Sequence, residues 1–321
     1  MKVLLTGGAG FIGGHTAERL LKRGDDVVII DNLTTYYDVA LKRECLEILN
    51  KCGPGKVTFK EVDLVNRDAV RAIFEEHRPD VVCHLAAQAG VRYSIEHVDE
   101  NVATNIMGTT NILECARDFK PRNVVCASSS SVYGESSVAP FSEDQICDKP
   151  ISPYAATKRA CELFGHTFHH LYKTPITMLR FFTVYGPRGR PDMAAFKFID
   201  KINKGEAIDK YGDGSMIREF TYIDDIVDGV ITAIDTISPF EIVNLGGGST
   251  HTLNEFIACI EKHVGKQAQL NLLPNQPGDV KVTSACQKNS QRVLKFQPNI
   301  SLDEGIRRTV EWYNTWSANK K

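Results

Sequence analysis

The feature that most constrains the fold is a glycine loop between two apolar runs near the N-terminus. Met1 to Thr6 is a short apolar run, the loop Gly7-Gly8-Ala9-Gly10-Phe11-Ile12-Gly13 follows it, and a helical stretch extends to about Arg23. The second apolar run, Val27 to Ile30, ends at Asp31. A strand, a glycine turn, a helix and a second strand ending in an acid are typical of the first unit of a dinucleotide-binding sheet.

The glycines of this loop have separate physical roles in holding a dinucleotide. Gly7 allows the tight turn, Gly10 lets the backbone approach the pyrophosphate, and Gly13 lets the helix pack closely on the strand. Their spacing is GxxGxxG rather than GxGxxG, and Phe11 and Ile12 lie where the helix begins. The pyrophosphate is expected at the N-terminus of this helix, where backbone N–H groups favour an anion.

The acid at the end of the second strand indicates which dinucleotide binds. Asp31 follows the loop by roughly 20 residues, the spacing at which such a fold places its ribose-binding acid. A carboxylate there accepts hydrogen bonds from the adenosine ribose and repels a 2′-phosphate. The sequence therefore predicts NAD rather than NADP, with Asn32 included in the cofactor site.

Apolar runs alternate with helical stretches up to residue 182. Further strands are predicted at Val57 to Val62, Asp80 to Leu85, Asn123 to Ala127 and Ile176 to Phe182, with a helix near Arg67 to Glu76 and a long helix ending near Phe119. This alternation predicts an α/β fold with a parallel, doubly wound Rossmann sheet, whose ligands lie at the carboxyl ends of the strands. Cofactor contacts are therefore expected from Asp63, Leu64, Leu85, Ala86 and Ala87, and from Asn105 in the long helix.

The pattern changes after residue 182. Segments become shorter and are separated by glycine and proline, as in Tyr185-Gly186-Pro187 and Leu245-Gly246-Gly247-Gly248. We expect residues 1–182 to form the cofactor-binding domain and residues 183–321 to form a smaller α/β substrate-binding part. The two are expected to be interleaved, with the smaller part covering the mouth of the cofactor site. Trp312 and Trp316 indicate a terminal core helix.

A tyrosine and a lysine four residues apart open the helix that follows the serine run at residues 128–131. Ser152 suits the N-cap and Pro153 the first turn, so Tyr154 and Lys158 are expected on one rigid helical face. Free phenol has a pKa of about 10 and is a poor base near neutral pH unless positive charge stabilises the phenolate. The lysine and an oxidised nicotinamide supply such charge, so the pair can take a proton from a sugar hydroxyl while the carbon loses hydride.

Composition excludes several classes of partner. The formal net charge is -2 over 321 residues, without a long basic block, which gives no reason to expect nucleic acid or a membrane surface as partner. No window approaches the ~20 apolar residues of a membrane span, and the N-terminal apolar run is too short for a signal peptide. The nine cysteines show neither CxxC pairs nor zinc-ligand spacing, so we expect a reducing cytoplasm and no metal site.

The glycine loop, Asp31, the serine run and the Tyr154/Lys158 pair, in this order, resemble the extended short-chain dehydrogenase/reductase family over nearly the whole chain. In that family the tyrosine and lysine act with a serine or threonine at the end of the fifth strand. Aligning the run on Val132-Tyr133-Gly134 assigns that role to Ser129, with Ser128 and Ser130 as alternatives. The resemblance also implies a homodimer formed by two long helices.

Three stretches resemble UDP-glucuronate 4-epimerases, namely residues 86–94, 183–193 and 276–280. Galactose 4-epimerases and UDP-glucuronate decarboxylases usually have asparagine where Thr183 stands, and often arginine where Gln276 stands. Dehydratases carry an Asp-Glu pair where this chain has Ser130 and Ser131, so dehydration is not expected. The hydroxyls of Ser130, Ser131 and Thr183 could hold the C5 carboxylate of a uronic acid, with the guanidinium of Arg190 supplying a positive charge nearby.

The resemblance implies further contacts with the UDP-sugar substrate. Arg218 resembles the arginine that binds the UDP diphosphate, and Asp279 the acid near the uridine ribose. Lys42 is a candidate for the cofactor phosphate and Arg92 for the substrate. The function expected is 4-epimerisation of UDP-glucuronic acid. The alternatives are a UDP-glucose/UDP-galactose or N-acetylhexosamine 4-epimerase, or a UDP-glucuronate decarboxylase. A further alternative is a non-catalytic NAD-sensing protein of the same fold, in which the tyrosine and lysine of the helix are normally not both kept.

Overall fold

The computed structural model of the chain describes residues 1–135, 137–274 and 281–320. The strands of these residues are β1 (Lys2–Thr6), β2 (Asp26–Asp31), β3 (Val57–Glu61), β4 (Val81–His84), β5 (Asn123–Ser129), β6 (Ile176–Phe181), β7 (Thr183–Tyr185), β8 (Ile208–Tyr211), β9 (Ile217–Tyr222), β10 (Phe240–Leu245), β11 (Thr250–Thr252) and β12 (Leu270–Leu273). Their α-helices are α1 (Phe11–Arg23), α2 (Val39–Asn50), α3 (Arg67–His77), α4 (Tyr93–Glu96), α5 (Val98–Asn101), α6 (Gly108–Phe119), α7 (Pro153–Tyr172), α8 (Ala194–Lys204), α9 (Ile223–Asp235), α10 (Leu253–Val264), α11 (Lys288–Leu294) and α12 (Leu302–Ala318).

Seven parallel strands form the large sheet in the order β10-β6-β5-β4-β1-β2-β3. Helices α1, α2 and α9 contribute to the core on one face, and α3, α6 and α7 to the core on the other. Side chains of β1 alternate between the two cores, with Val3 and Leu5 in one and Leu4 in the other. Because both faces are buried, the strands read as continuous apolar runs. The predicted α/β doubly wound fold is confirmed.

The large sheet takes its seventh strand from the second half of the chain. β10 pairs with β6, with Phe240 opposite Ile176 and Leu245 opposite Phe181. The remaining strands form a three-stranded sheet, β11-β9-β7, and a two-stranded sheet, β12-β8. The chain after residue 182 therefore supplies both these smaller sheets and one edge of the large sheet, and β10 is not among the predicted strands.

The long helix predicted to end near Phe119 is divided into several segments. After α4 and α5 the backbone forms a π-helix at Val102–Met107 before α6 begins. The wider turn of a π-helix accommodates an extra residue and often occurs at a functional position. Asn105 lies in this segment and contacts the loop after β4.

Over the ranges given above, none of the helices is both long and apolar enough to span a bilayer.

Candidate active site

A cavity of about 890 Å³ opens at the carboxyl edge of the large sheet, where β1, β2, β4 and β5 end. The glycine loop, the residues after these strands and the start of α7 line it. The predicted site residues in its wall are Gly7, Gly10, Phe11, Ile12, Gly13, Asp31, Asn32, Lys42, Asp63, Leu64, Leu85, Ala86, Ala87, Arg92, Ser129, Ser130, Ser131, Tyr154, Lys158, Thr183 and Arg190. The structure therefore brings the glycine loop, the Tyr-Lys pair and the hydroxyls of residues 129–131 and Thr183 to one cavity.

The glycine loop is built so tightly that side chains do not fit at two of its positions. Gly7 has φ +72°, and a Cβ there would lie 2.8 Å from Cα of Ala86. A Cβ at Gly13 would overlap the carbonyl oxygen of Gly7. Helix α1 then begins behind Gly10, which has no side chain to cap the first N–H groups. These groups are available to an anion such as a pyrophosphate.

The carboxylate of Asp31 is buried at the end of β2 and held in place by the backbone. Its Oδ2 accepts a hydrogen bond from the Ala9 N–H at 3.2 Å and its Oδ1 accepts one from the Leu33 N–H at 2.9 Å. The ammonium of Lys42, also buried, lies 3.8 Å from Oδ1. Burial lowers the pKa of Lys42, and the negative charge of Asp31 opposes that shift. Asn32 donates a hydrogen bond to Asp63 at 2.9 Å, which links the ends of β2 and β3.

The Tyr-Lys pair lies in the first turns of α7. The predicted cap is confirmed, since Ser152 Oγ accepts a hydrogen bond from the Ala155 N–H at 3.1 Å and Pro153 occupies the first turn. Lys158 Nζ is buried and donates to the carbonyl oxygen of Ala127 at 2.8 Å. This bond ties the ammonium to β5, one turn along the helix from Tyr154. The ammonium of Lys158 is thus held by a buried backbone contact.

The serines at the end of β5 have different partners. Ser128 is buried and donates to Glu162 Oε1 at 2.6 Å. Ser129 Oγ accepts from the Ser131 N–H at 3.2 Å and donates to Ser131 Oγ at 3.1 Å, both at the wall of the cavity. These bonds commit the Ser128 hydroxyl to the protein interior, which supports Ser129 as the catalytic hydroxyl. Ser130 and Ser131 begin a 3-10 turn, Ser130–Tyr133, beside it.

A buried ion pair beneath these serines was not predicted. Arg180 on β6 donates to both oxygens of Glu162, from Nε and Nη2, each at 2.8 Å. Burial acts to raise the pKa of Glu162, but the hydrogen bonds and charge of Arg180 outweigh it and the net shift is downward. Such a pair fixes α7 against β6 at the level of Ser128 and Ser129. The signal in the sequence was an arginine inside an otherwise apolar strand.

Arg190 is paired with the carboxylate of Asp192, which is not among the predicted site residues. It donates to Asp192 from Nε at 3.0 Å and from Nη2 at 2.5 Å, and Tyr36 donates to the same carboxylate at 3.1 Å. Burial acts to lower the pKa of Arg190, but Asp192 outweighs burial and the net shift is upward. All three residues line the cavity. Tyr36 was identifiable only from its place in the loop that follows Asp31.

Asn105 lies behind the cavity wall rather than in it. Its Oδ1 accepts from the Gln88 N–H at 2.8 Å, and its Nδ2 donates to the Gln88 carbonyl at 3.1 Å and to Thr157 Oγ1 at 3.0 Å. Asn105 is 1% exposed. It therefore connects the loop after β4 to α7, the helix that carries Tyr154 and Lys158.

The residues predicted to hold the nucleotide part of a substrate are less closely grouped. Arg92 lines the cavity, with its guanidinium carbon 5.0 Å from the centre of the Tyr211 ring. Arg218 on β9 donates to the carbonyl oxygen of Ile217 at 3.0 Å and to that of Lys281 at 3.4 Å, and it is outside the cavity wall. Asp279, with the rest of the stretch 276–280, lies outside the described residues.

The family model and the similar curated proteins both relate this chain to epimerases. Residues 3–246 match the model of the NAD dependent epimerase/dehydratase family. A probable UDP-glucuronate 4-epimerase of Rhizobium meliloti (strain 1021) is 44% identical over 98% of this chain and 97% of that protein. A UDP-glucuronate 4-epimerase of Thermodesulfobacterium geofontis (strain OPF15) is 46% identical over 96% of this chain and 95% of that protein.

The fold is also similar to a solved structure over almost its full length. The structure of a UDP-glucuronic acid 4-epimerase from Bacillus cereus, in complex with UDP-glucuronic acid and NAD, superposes with a TM-score of 0.91. The two sequences are 36% identical, and the match covers 98% of this chain and 100% of that one.

Proposed function

Because the chain belongs to the NAD dependent epimerase/dehydratase family, we propose that it is a UDP-glucuronate 4-epimerase with bound NAD. It interconverts UDP-glucuronic acid and UDP-galacturonic acid by inverting the configuration at C4. The observation that carries this proposal is the cavity that holds the Tyr154/Lys158 pair together with Thr183 and Arg190. A proton-transfer pair beside hydroxyls and a guanidinium suits a sugar that carries a carboxylate.

The residues at the wall of the cavity fit NAD. The crowding at Gly7 and Gly13 leaves backbone rather than side chain at the start of α1, where a pyrophosphate would bind. Asp31, fixed by two backbone N–H groups, would hold the adenosine ribose. The ammonium of Lys42 lies 3.8 Å from Asp31 Oδ1 and partly balances the negative charge of that carboxylate. Lys42 is also the basic residue that we assign to the cofactor phosphate. Bound at these residues, NAD would supply the hydride acceptor for oxidation at C4 and the hydride donor for the reverse step.

Proton transfer is the task of the chain's own residues. Tyr154 takes the proton of the C4 hydroxyl, and Ser129 donates a hydrogen bond to the same sugar oxygen. Lys158, anchored on the Ala127 carbonyl at 2.8 Å, supplies the positive charge that stabilises the phenolate. The 4-keto sugar turns about its diphosphate to present its other face, and Tyr154 then returns the proton to the C4 oxygen.

A 4-keto uronic acid is a β-keto acid, so an epimerase must also prevent loss of carbon dioxide. Decarboxylation is fastest when the bond to the carboxylate lies perpendicular to the ring plane. We assign Ser130, Ser131, Thr183 and Arg190 to holding the carboxylate away from that alignment. Arg190 has its guanidinium fork already oriented by Asp192, which favours bidentate binding of a second carboxylate.

In this proposal the second part of the chain binds the nucleotide part of the substrate. Residues 1–182 carry NAD and the proton-transfer pair, and residues 183–321 contribute most of the UDP contacts. Arg218 is assigned to the diphosphate and Asp279 to the uridine ribose, with Arg92 contacting the substrate from the loop after β4. The position of Arg218 on β9, outside the cavity wall, requires the UDP to extend beyond the cavity.

We further propose a cytoplasmic homodimer. Apolar side chains are exposed along the helices that pack beside β4 and β5, including Met107 at 50%, Leu163 at 55% and Leu171 at 59%. An apolar helical surface of this kind suits a four-helix seam between two copies. All nine cysteines are free thiols, which suits a reducing compartment. Light scattering of the purified protein, with Leu163→Glu as the disrupting variant, tests the dimer.

The decisive experiment is anaerobic incubation of the purified protein with UDP-glucuronic acid, without added cofactor, followed by NMR of the nucleotide sugar. UDP-galacturonic acid at unchanged mass is the expected product. A Tyr154→Phe variant should keep its NAD content while its turnover falls by about 10²–10⁴-fold. Formation of a UDP-pentose would instead identify a decarboxylase. Conversion of neutral UDP-hexoses alone, even after NAD is added, would overturn the uronate assignment.

A further inference from the structure

A cysteine, a histidine and an aspartate meet on the surface at the contact between α10 and α12. Cys259 and His263 are four residues apart on α10, and Asp303 is in the first turn of α12. One ligand atom from each residue, the cysteine Sγ, a histidine ring nitrogen and a carboxylate oxygen, lies within 4.8 Å of the other two. None of the three lines the catalytic cavity.

From this arrangement we propose a second site in the protein, a zinc-type divalent metal site formed by Cys259, His263 and Asp303. Thiolate, imidazole and carboxylate are the three ligand types that Zn²⁺ takes in proteins. A thiolate and an imidazole together disfavour Mg²⁺ and Ca²⁺, which prefer oxygen. Three protein ligands leave one position for water in a tetrahedral site.

The distances are close to those that a tetrahedral ion needs. Asp303 Oδ1 lies 2.9 Å from His263 Nε2 and 3.9 Å from Cys259 Sγ. With ordinary zinc–ligand bond lengths, a tetrahedral site separates oxygen from nitrogen by about 3.4 Å and oxygen from sulfur by about 3.6 Å. These two separations differ from the tetrahedral values by roughly 0.5 Å and 0.3 Å, and rotation of the side chains can remove differences of that size.

The scaffold that presents the ligands is rigid. Helix α10 begins with a capping box in which Thr252 and Glu255 exchange hydrogen bonds, and α12 begins with Ser301 as its side-chain cap. Side chains on well-capped helices are held more precisely than those on loops. An ion bound to both helices would fasten α12 to α10. Helix α12 also reaches α2, since Trp316 donates to Glu44 at 3.1 Å.

Lys262 is the group that competes with a metal ion. Its Nζ lies 2.6 Å from Asp303 Oδ1, and its side chain is 62% exposed. A flexible, exposed ammonium can move into solvent when a divalent ion takes the carboxylate. The thiol of Cys259 releases its proton to solvent when the sulfur binds the ion. Replacing Lys262 should therefore strengthen metal binding.

This site differs from the expectation that the chain has no metal site. The spacing of cysteines in the sequence was the basis of that expectation, and it contains no zinc pattern. The third ligand comes from a position 40 residues after His263, on a different helix. Only the packing of α10 on α12 brings it to the other two.

The test is titration of the chelator-treated, reduced protein with Co²⁺, followed by displacement with Zn²⁺. We expect one equivalent of Co²⁺ with the intense visible bands of a tetrahedral site and a thiolate-to-cobalt charge-transfer band. Cys259→Ser should abolish the charge-transfer band, His263→Gln should prevent saturation, and Lys262→Met should raise the affinity several-fold. Cys286→Ser, which removes a partly buried thiol elsewhere, is the matched control and should change nothing.

Thermal unfolding supplies a second readout. Zn²⁺ should raise the melting temperature of the native protein by a few degrees and leave that of Cys259→Ser unchanged, because only a ligand that binds the folded state stabilises it. The metal-free variants should melt with the native protein, which shows that they fold. A charge-transfer band that survives Cys259→Ser, or no saturation at millimolar Co²⁺, overturns the proposal.

Discussion

Arg190 holds the carboxylate of Asp192 with two hydrogen bonds, from Nε at 3.0 Å and from Nη2 at 2.5 Å, at the wall of the cavity. Tyr36 donates to the same carboxylate, and the centre of its ring lies 5.3 Å from the guanidinium carbon. The position of the guanidinium is thus determined before any substrate arrives, and part of its charge is already neutralised. We infer that Arg190 supplies the attraction for a uronate carboxylate and that Asp192 limits and orients it.

Removing the guanidinium should impair both binding and product fidelity. For Arg190→Ala we expect KM for UDP-glucuronic acid to rise by about 10- to 100-fold, the value of a lost charged hydrogen bond. A UDP-pentose should also appear, because the 4-keto carboxylate is no longer held away from the perpendicular alignment. Mass spectrometry of the nucleotide sugars measures both products in one reaction.

Arg190→Lys is the matched control for this prediction, since it keeps the charge and loses the bidentate fork. It should show an intermediate KM and less pentose than the alanine variant. If turnover falls in both variants while all product retains its carboxylate, Arg190 does not control the carboxylate.

Removing the competing carboxylate should have the opposite effect on binding. For Asp192→Asn we expect KM for UDP-glucuronic acid to fall by up to about fivefold, the scale of a partly exposed ion pair. The pentose share should rise, because the guanidinium loses the contact that orients it. Tyr36→Phe removes only one hydrogen bond to Asp192 and leaves both charges, so its KM should stay close to native. An unchanged KM in Asp192→Asn would show that Asp192 does not compete with the substrate.

Asn105 should act as a positioning residue rather than a ligand. In Asn105→Ala the backbone N–H and carbonyl of Gln88 lose their partners, and each unsatisfied buried group costs about 1–3 kcal/mol. We expect urea unfolding to show that loss and kcat to fall more than KM changes, because the Asn105–Thr157 bond to the catalytic helix is also lost. Asn203→Ala, which removes a bond within its own helix, should cost less than about 0.5 kcal/mol.

Features carried by short stretches of sequence were predictable. Short apolar runs bounded by turn residues locate the strands from β1 to β6, and Ser152 with Pro153 marks the start of α7. In a parallel sheet the strand ends meet at one edge, so the residues after these strands were expected to share a cavity. Local pattern and topology together account for most of the residues at its wall.

Features that depend on how side chains and segments pack in three dimensions were not predictable. Strand β10 pairs with β6 through tertiary packing, and the sequence of residues 240–245 does not indicate which strand it pairs with. In the sequence Asp192 is an ordinary acidic loop residue, and its contacts with Arg190 and Tyr36 appear only in the folded structure. The π-helix at residues 102–107 likewise has no local pattern that separates it from an α-helix, although it carries Asn105 to Gln88.

One buried histidine, His84, and one half-buried histidine, His15, should make the protein sensitive to mild acid. Burial lowers the pKa of His84 to about 3, with the charge of Lys158 acting in the same direction, and burial with Arg188 lowers that of His15 to about 4. In the unfolded chain both pKa values are near 6.5. Below about pH 6.5 the unfolded state therefore binds more protons than the folded state, so the free energy of unfolding falls as the pH falls, by up to about 1.4 kcal/mol per pH unit for each histidine.

His84→Gln isolates one of these contributions. Glutamine can hydrogen-bond to Thr6 and Thr109, the two hydroxyl partners of His84, but it does not titrate. Urea unfolding between about pH 7.5 and 5 should therefore give a shallower loss of stability for this variant than for the native protein, whatever its stability at neutral pH. His170→Gln, which removes an exposed imidazole, should keep the native slope. Equal slopes for all three proteins would mean that His84 is protonated in the folded state, or that the acid response arises elsewhere.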